Sequence, residues 1–93
     1  MAPALVEGDV IVTKLHKKHP KNNEIWVFEL TNNKIVKRVK KIQSVEIWFE
    51  GDNINHSWDS RHFGYIKTDQ LVGQAKFVAF NVYKLGRFFV PLI

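Results

Sequence analysis

The chain has no cysteine, a single methionine and only three prolines in 93 residues. Without cysteine, neither a disulfide framework nor a thiolate metal site can form. Long apolar runs are missing as well. The longest, Phe88 to Ile93, falls well short of the roughly 18 residues that span a bilayer. No signal peptide is visible, so a membrane anchor would have to precede Met1, belong to a partner, or be replaced by association with a membrane surface.

The composition that is present fits a folded, β-rich protein. Hydrophobic residues make up 45% of the chain and aromatic residues 13%, which argues against disorder and favours strands. The length predicts one domain, residues 1–93. The net charge is +5, and basic residues cluster at 14–21 and 34–41. Such clusters indicate nucleic acid, an anionic membrane surface, or simply a solvated basic face.

Alternating apolar and polar residues predict strands over most of the chain. The pattern is clear at 10–14, 24–30, 45–50 and 72–83. Residues 84–93 contain Gly86 and Pro91 and predict no regular element. The expected fold is all-β, a small barrel or sandwich of short antiparallel strands.

Residues 34–42 fit two kinds of element. Ile35, Val36, Val39 and Ile42 would form a helical stripe, whereas Ile35, Lys37 and Val39 would share one face of a strand. The preceding Thr31-Asn32-Asn33 segment is a plausible hairpin turn and favours the strand. A lysine between two apolar neighbours on one face is a candidate for desolvation.

The loop from Gly51 to Gly64, GDNINHSWDSRHFG, is rich in turn-forming and short polar residues. We expect its own side chains to hold it together through hydrogen bonds. Asp59 and Arg61 are available for a charge-assisted pair. Ser57, His62 and Asp59 could form a Ser-His-Asp triad on paper, but such triads are normally built from distant segments.

Two further kinds of site are less favoured. His16, His19, His56 and His62 suggest a metal site, but they come with no cysteine and no close carboxylate cluster. We therefore predict no metal and no cofactor. A nucleic-acid module would use Trp26, Trp48 and Trp58 as stacking platforms beside the basic clusters. The apolar surroundings of Trp26 instead predict a core residue, and we do not expect nucleic acid to be the partner.

Three segments resemble the type I signal peptidase family. The loop GDNINHSWDSRHFG is similar to that family's GDN…S-x-DSR…FG loop, and KIVKRV is similar to the segment with its catalytic lysine. MAPALVEGDVIV is similar to the residues that follow its nucleophile, in the pattern S-M-x-P-T-L-x-x-GD-x-V-x-V. LVGQAKFV and GRFFVPL resemble the segments after the loop. The loop also separates the chain from the LexA-type autoproteases, which share the Ser-Lys chemistry.

The resemblance implies a serine endopeptidase that cleaves signal peptides after small residues. In a Ser-Lys dyad, a neutral lysine takes the proton of the attacking serine, and Lys37 matches that lysine. Ser57 would orient the lysine amine. The remaining matches support the loop or flank the nucleophile: Gly51, Asp52, Asn53, Asp59, Ser60 and Arg61 in the loop, and Met1, Ala2 and Pro3 after the serine. The substrate would be an extended peptide added as a strand.

The nucleophilic serine itself would directly precede Met1, so the resemblance predicts that the chain as written is inactive. A start assigned too late, a truncation and a true pseudoenzyme that only binds peptides all stay open. A short connection from Lys37 to Gly51 resembles the minimal cores of the family, including the organellar inner-membrane type. The implied location is the non-cytoplasmic side of a cytoplasmic or organellar inner membrane.

Overall fold

A computed structural model describes residues 4–15, 19–52, 58–84 and 86–92. Strands dominate this part of the chain. The strands are β1 (Asp9–Leu15), β2 (Ile25–Leu30), β3 (Asn33–Gln43), β4 (Glu46–Glu50), β5 (Ile66–Lys67), β6 (Leu71–Asn81) and β7 (Phe88–Pro91). A four-residue helix, α1 (Ser60–Phe63), precedes β5, and a 3-10 turn (Thr68–Gln70) follows it. The all-β prediction is confirmed.

The strands form one antiparallel sheet in the order β1-β6-β2-β3-β4-β5, and β7 also pairs with β6. The long strand β6 changes partners along its length. Its first residues pair with β2, its last ones pair with β7, and β1 runs beside most of it. Because of this order, the first and last strands, β1 and β7, both pair with β6.

Residues 33–43 form a strand, so the strand interpretation of this segment is confirmed and the helical one is wrong. A two-residue turn, Thr31-Asn32, joins β2 to β3, and its φ angles are +48° and +65°. Two consecutive positive φ angles are typical of the type I′ turn, whose twist matches that of a hairpin. The turn therefore fixes the register in which Lys37 lies opposite Trp26.

Apolar side chains form two clusters. The first contains Trp26, Phe28, Val39, Ile47, Phe49, Ile66 and Leu71, and the second contains Leu5, Ile25, Ala75, Val78 and Leu92. Successive residues of a strand point to opposite faces. Because Ile25 and Trp26 belong to different clusters and all of Ile25–Phe28 is buried, β2 is covered on both faces.

The prediction for residues 84–93 is wrong, because β7 forms there and pairs Val90 with Val78. The strand was missed because it is short and contains proline, which cannot donate to a ladder. Pro91 is tolerated because, among the described strands, β7 is an edge strand that pairs with β6 alone. The sequence patterns also gave no sign of α1, β5 or the 3-10 turn. In the described part of the chain, no helix has the length and apolar character needed to cross a membrane.

Candidate active site

Lys37 lies in the middle of β3, half-buried between two apolar neighbours on the same face. Val39 is fully buried in the first cluster, and Ile35 packs against that cluster. Burial lowers the pKa of Lys37 below its ordinary value, because the ammonium form loses hydration. Smaller and opposite effects come from Asp59, which raises this pKa, and Arg61, which lowers it. The loop is thus close enough to act on the charge of Lys37.

Asp59 fixes the loop to the end of β4. Its carboxylate is fully buried and accepts hydrogen bonds from the Gly51 amide at 2.9 Å and the Arg61 amide at 3.1 Å. It also receives both arms of the Arg61 guanidinium, at 2.9 Å and 2.6 Å. The expected pairing of Asp59 with Arg61 is therefore present. Asp59 caps α1 as well, so one carboxylate links the start of the loop to its end.

Ser60 is a second anchor of the loop. Its side chain is 1% exposed, and its Oγ accepts a hydrogen bond from the Phe49 amide at 2.9 Å. Phe49 lies opposite Val39 on β3. The DSR sequence thereby ties the loop to β4, the strand beside the one that carries Lys37.

Arg38, the neighbour of Lys37, has a separate role on the other face of β3. Its guanidinium binds the Asp52 carboxylate with two hydrogen bonds, at 2.7 Å and 2.8 Å, and donates a third to the Asn23 carbonyl at 2.8 Å. The hydrogen bonds from Arg38 hold the pKa of Asp52 below its ordinary value. The alternation of a strand is sufficient to point Arg38 away from Lys37, but its partner could not be predicted without the path of the loop.

The segment after the predicted nucleophile is fastened by a polar cluster, here called the Asp9–Arg87 clasp (Asp9, Asn81 and Arg87). Arg87 donates two hydrogen bonds to Asp9, at 2.8 Å and 2.9 Å, and one to the Ala4 carbonyl at 2.6 Å. Asn81 donates to Asp9 at 2.6 Å. The Asp9 side chain is only 4% exposed, and the Arg87 guanidinium holds its pKa well below the ordinary range. Asp9 was matched only as part of the GD motif, and Arg87 was not assigned a role.

This N-terminal segment lies beside β3. Leu5, Val6 and Val36 line one groove, and Val36 directly precedes Lys37 in the strand. Val36 packs against the second apolar cluster, and successive strand residues point to opposite faces. This groove therefore lies on the face of β3 opposite the Lys37 side chain.

Several predicted residues lie outside the described residues: Met1, Ala2, Pro3, Asn53 and Ser57, and also His16 and His56. The predicted contact of Ser57 with Lys37 stays a prediction. Trp26 is 1% exposed and belongs to the core, as its surroundings predicted. Within the four described ranges, no three His, Asp or Glu side chains are grouped closely enough to hold a metal ion.

A family model described as "Signal peptidase, peptidase S26" matches residues 37–80. A 31-residue segment is 55% identical to the signal peptidase I of Bacillus caldolyticus. Over these residues the chain is similar to the signal peptidase family. The aligned segment is 33% of this chain and 17% of the length of that relative. No solved structure matches.

The signal peptidase match begins at Lys37 and contains the anchored loop, with Asp52, Asp59, Ser60 and Arg61. The strand β1 and the Asp9–Arg87 clasp are outside it. The matched part is therefore the strand with the desolvated lysine, the loop that acts on its charge, and most of β6.

Proposed function

We propose that the chain is the core of a signal-peptidase-like serine endopeptidase in which Lys37 is the general base. The observation that carries the proposal is the position of Lys37 on a regular strand, half-buried between Ile35 and Val39. This burial lowers the pKa of Lys37. A lysine with its ordinary pKa is almost wholly protonated at neutral pH and cannot accept a proton. Burial enlarges the neutral fraction, which a base must supply.

The chemistry follows from this neutral amine. The Lys37 Nζ takes the proton of a serine hydroxyl while the serine oxygen attacks the scissile carbonyl of an extended peptide. The same proton then passes to the leaving amine. One donor to the developing oxyanion would be the backbone N–H of the serine itself. In this proposal the serine directly precedes Met1, and Ser57 orients the amine.

The anchored loop supplies a fixed charge environment for the base. Asp59 and Arg61 act on Lys37 in opposite directions, and their mutual hydrogen bonds fix their positions. The similarity to signal peptidases further supports a chain that works at a membrane, on its non-cytoplasmic side. The peptide would be cleaved after small residues.

The test adds a serine directly before Met1, with a few upstream residues, and compares it with the same extension carrying alanine. The substrate is a fluorogenic peptide with small residues before the scissile bond. We expect cleavage by the serine version and a loss of at least about 10² in kcat/KM for Lys37→Met. The control Lys40→Met removes an exposed lysine from the same strand and is expected to keep its activity.

The pH profile separates a base from a merely structural lysine. Because the amine must be neutral, kcat/KM is expected to rise with pH through the pKa of Lys37, below the ordinary range of lysine. Peptide binding without cleavage by the serine version would instead support the peptide-binding pseudoenzyme. Equal rates for the serine and alanine versions would refute a serine before Met1.

A further inference from the structure

A short row of side chains crosses the sheet on the face that carries Lys37. Gln74 on β6 lies opposite Trp26 on β2, and Trp26 lies opposite Lys37 on β3. Side chains directly opposite one another in an antiparallel pair share a face, with Cβ atoms about 4.5–5.5 Å apart. The Trp26 indole is therefore the neighbour of Lys37 across the ladder. At 1% exposure, it excludes water from that side of the lysine.

A carboxylate holds this indole in place. Glu24 directly precedes β2 and, being two residues from Trp26, lies on the same face. Its Oε1 accepts hydrogen bonds from Trp26 Nε1 at 3.0 Å and from the Lys21 amide at 2.9 Å. Its Oε2 accepts a hydrogen bond from Gln74 Nε2 at 3.2 Å. The carboxylate is thus fixed through both oxygens, and it fixes the orientation of the Trp26 ring.

The contact with Glu24 also determines the orientation of the Gln74 amide. Gln74 is 5% exposed, and in the described part of the chain its Oε1 is buried without a hydrogen-bond partner. Turning the amide over would place that oxygen against the Glu24 carboxylate, which is also an acceptor. Because a buried acceptor without a partner costs free energy, this orientation indicates that the hydrogen bond to Glu24 is the dominant contact of Gln74.

We propose that Glu24 is a positioning residue for the base and acts through Trp26, whose indole it holds against Lys37. Gln74 supports it by fixing the carboxylate. Without this acceptor the indole turns and water reaches the amine, which restores hydration to the ammonium form. The inference rests on the proposed function of Lys37. Glu24 and Trp26 both precede the segment that matches the family model.

A direct charge effect of Glu24 on Lys37 would have the opposite sign. Among the described elements packed against Lys37, the charged side chains that face or act on it are Glu24, Asp59 and Arg61, whereas Glu50 of β4 is opposite Arg38 on the other face. A nearby carboxylate stabilises an ammonium, so removing its charge would lower the pKa of Lys37. Removing a residue that keeps water out raises this pKa. The sign of the change separates the two roles.

The test measures the pKa of Lys37 in the full chain, from the pH dependence of acylation of its amine followed by mass spectrometry. We expect Glu24→Ala to raise this pKa, so that near pH 8 the acylation rate falls about threefold or more. Glu24→Gln keeps an oxygen acceptor for the indole and is expected to restore the original value. Glu29→Ala, which removes an exposed carboxylate from the same strand, is the matched control. No change in Glu24→Ala, or a lowered pKa in both Glu24 variants, would overturn the proposal.

Two further variants test the route through Trp26. Trp26→Phe removes the indole N–H, so adding Glu24→Ala to it is expected to cause no further rise. An equal rise in that background would show that Glu24 acts by another route and overturn the proposal. Gln74→Met removes the donor to Glu24 together with the oxygen that lacks a partner. We expect its urea midpoint to stay near the original and the pKa of Lys37 to rise, which excludes unfolding as the cause.

The pH profile of cleavage separates this inference from the proposed function. In the chain extended with serine, the rise of kcat/KM with pH is expected to move to higher pH in Glu24→Ala but not in Glu29→Ala. Cleavage by the serine version with an unchanged Lys37 pKa in Glu24→Ala would overturn the inference and leave the proposed function intact. A raised Lys37 pKa without cleavage by the serine version would support the positioning role and refute the peptidase.

Discussion

Lys37 and Arg38 are neighbours in the chain but experience opposite environments. Lys37 faces the first apolar cluster, and burial lowers its pKa. Arg38 faces the other side of β3, where its hydrogen bonds to Asp52 raise its own pKa. The alternation of a strand is sufficient to produce this difference. A helix over the same residues would have placed the two side chains about 100° apart, with no such separation.

The charge state of Lys37 should respond to single charges in the loop, in opposite directions. Because the Arg61 guanidinium repels an ammonium, Arg61→Gln is expected to raise the pKa of Lys37. Because the Asp59 carboxylate stabilises the ammonium, Asp59→Asn is expected to lower it further. The readout is the rate at which the Lys37 amine is acylated as a function of pH, followed by mass spectrometry. Lys67→Gln, which removes an exposed lysine on β5, serves as the control.

Movement of the Lys37 pKa in the same direction by both variants would show that the loop rearranges. A separate measurement checks the anchoring. Asp59→Ala leaves the Gly51 amide without its buried acceptor, and we expect a loss of roughly 2–4 kcal/mol in the free energy of unfolding.

At the residue scale, the apolar environment of Lys37 could be predicted from the sequence, but the partners of charged residues could not. The flanking Ile35 and Val39 predicted desolvation, because a strand brings residues two apart onto one face. The pairing of Arg38 with Asp52 spans 14 positions and depends on where the loop begins. Local pattern does not encode that separation.

At the scale of elements, the Asp9–Arg87 clasp joins the start of β1 to the turn between β6 and β7. Its carboxylate is almost fully buried and receives hydrogen bonds from Arg87, Asn81 and the Val6 amide. Because the pKa of Asp9 is depressed in the folded state, its stabilisation is present above the pKa of an unfolded aspartate. It is lost as the pH falls toward the folded-state value.

Asp9→Asn is therefore expected to lose about 2 kcal/mol near pH 7 and to keep most of this deficit near pH 3. The deficit should disappear only as the pH falls further, toward the folded-state pKa of Asp9. The measurement is the urea midpoint as a function of pH. Asp69→Asn, at an exposed position in the 3-10 turn, is the matched control and should be nearly neutral throughout. A deficit in Asp9→Asn that persists unchanged well below pH 3 would mean that the lost contribution is packing rather than charge.

The contact between β6 and β1 depends on a glycine. A Cβ at Gly73 would lie 2.3 Å from the Lys14 carbonyl oxygen. That oxygen belongs to backbone next to an irregularity of β1, and it cannot move without disturbing the ladder. Gly73→Ala is expected to cost about 1–3 kcal/mol, measured from thermal unfolding. Gly86→Ala, where nothing lies within 4 Å, should change stability by less than about 0.5 kcal/mol.

Element types were predictable where periodicity was long and missed where it was short. The extended alternation at β4 and β6 predicted both strands. β5 has two residues and β7 has four, too few for a period to show. Both form because a neighbouring strand presents backbone N–H and C=O groups with which they can pair. β5 pairs Ile66 with Ile47, and β7 pairs with the last part of β6.

At the scale of the whole molecule, β6 connects the two ends of the described chain. Its last residues lie between β1 and β7, and the second apolar cluster contains Leu5 from one end and Leu92 from the other. Pairs so distant in sequence form only after a large loss of chain entropy. The C-terminal segment should therefore be needed for a stable N-terminal segment.

A chain that ends after Tyr83 is expected to lose most of its cooperative unfolding transition. It lacks the β7 ladder, the buried Leu92 side chain and the clasp. Burial of one leucine contributes about 1.5–3 kcal/mol, and total stability for a domain of this size is of the order of 5–15 kcal/mol. Arg87→Met in the full chain is the control, because it removes the clasp alone and should retain a transition at a lower urea midpoint. A truncated chain as stable as Arg87→Met would show that β7 and Leu92 contribute nothing beyond the clasp. In that case, the hydrogen bonds between Asp9 and Arg87 alone would hold the N-terminal segment beside β3 in the full chain.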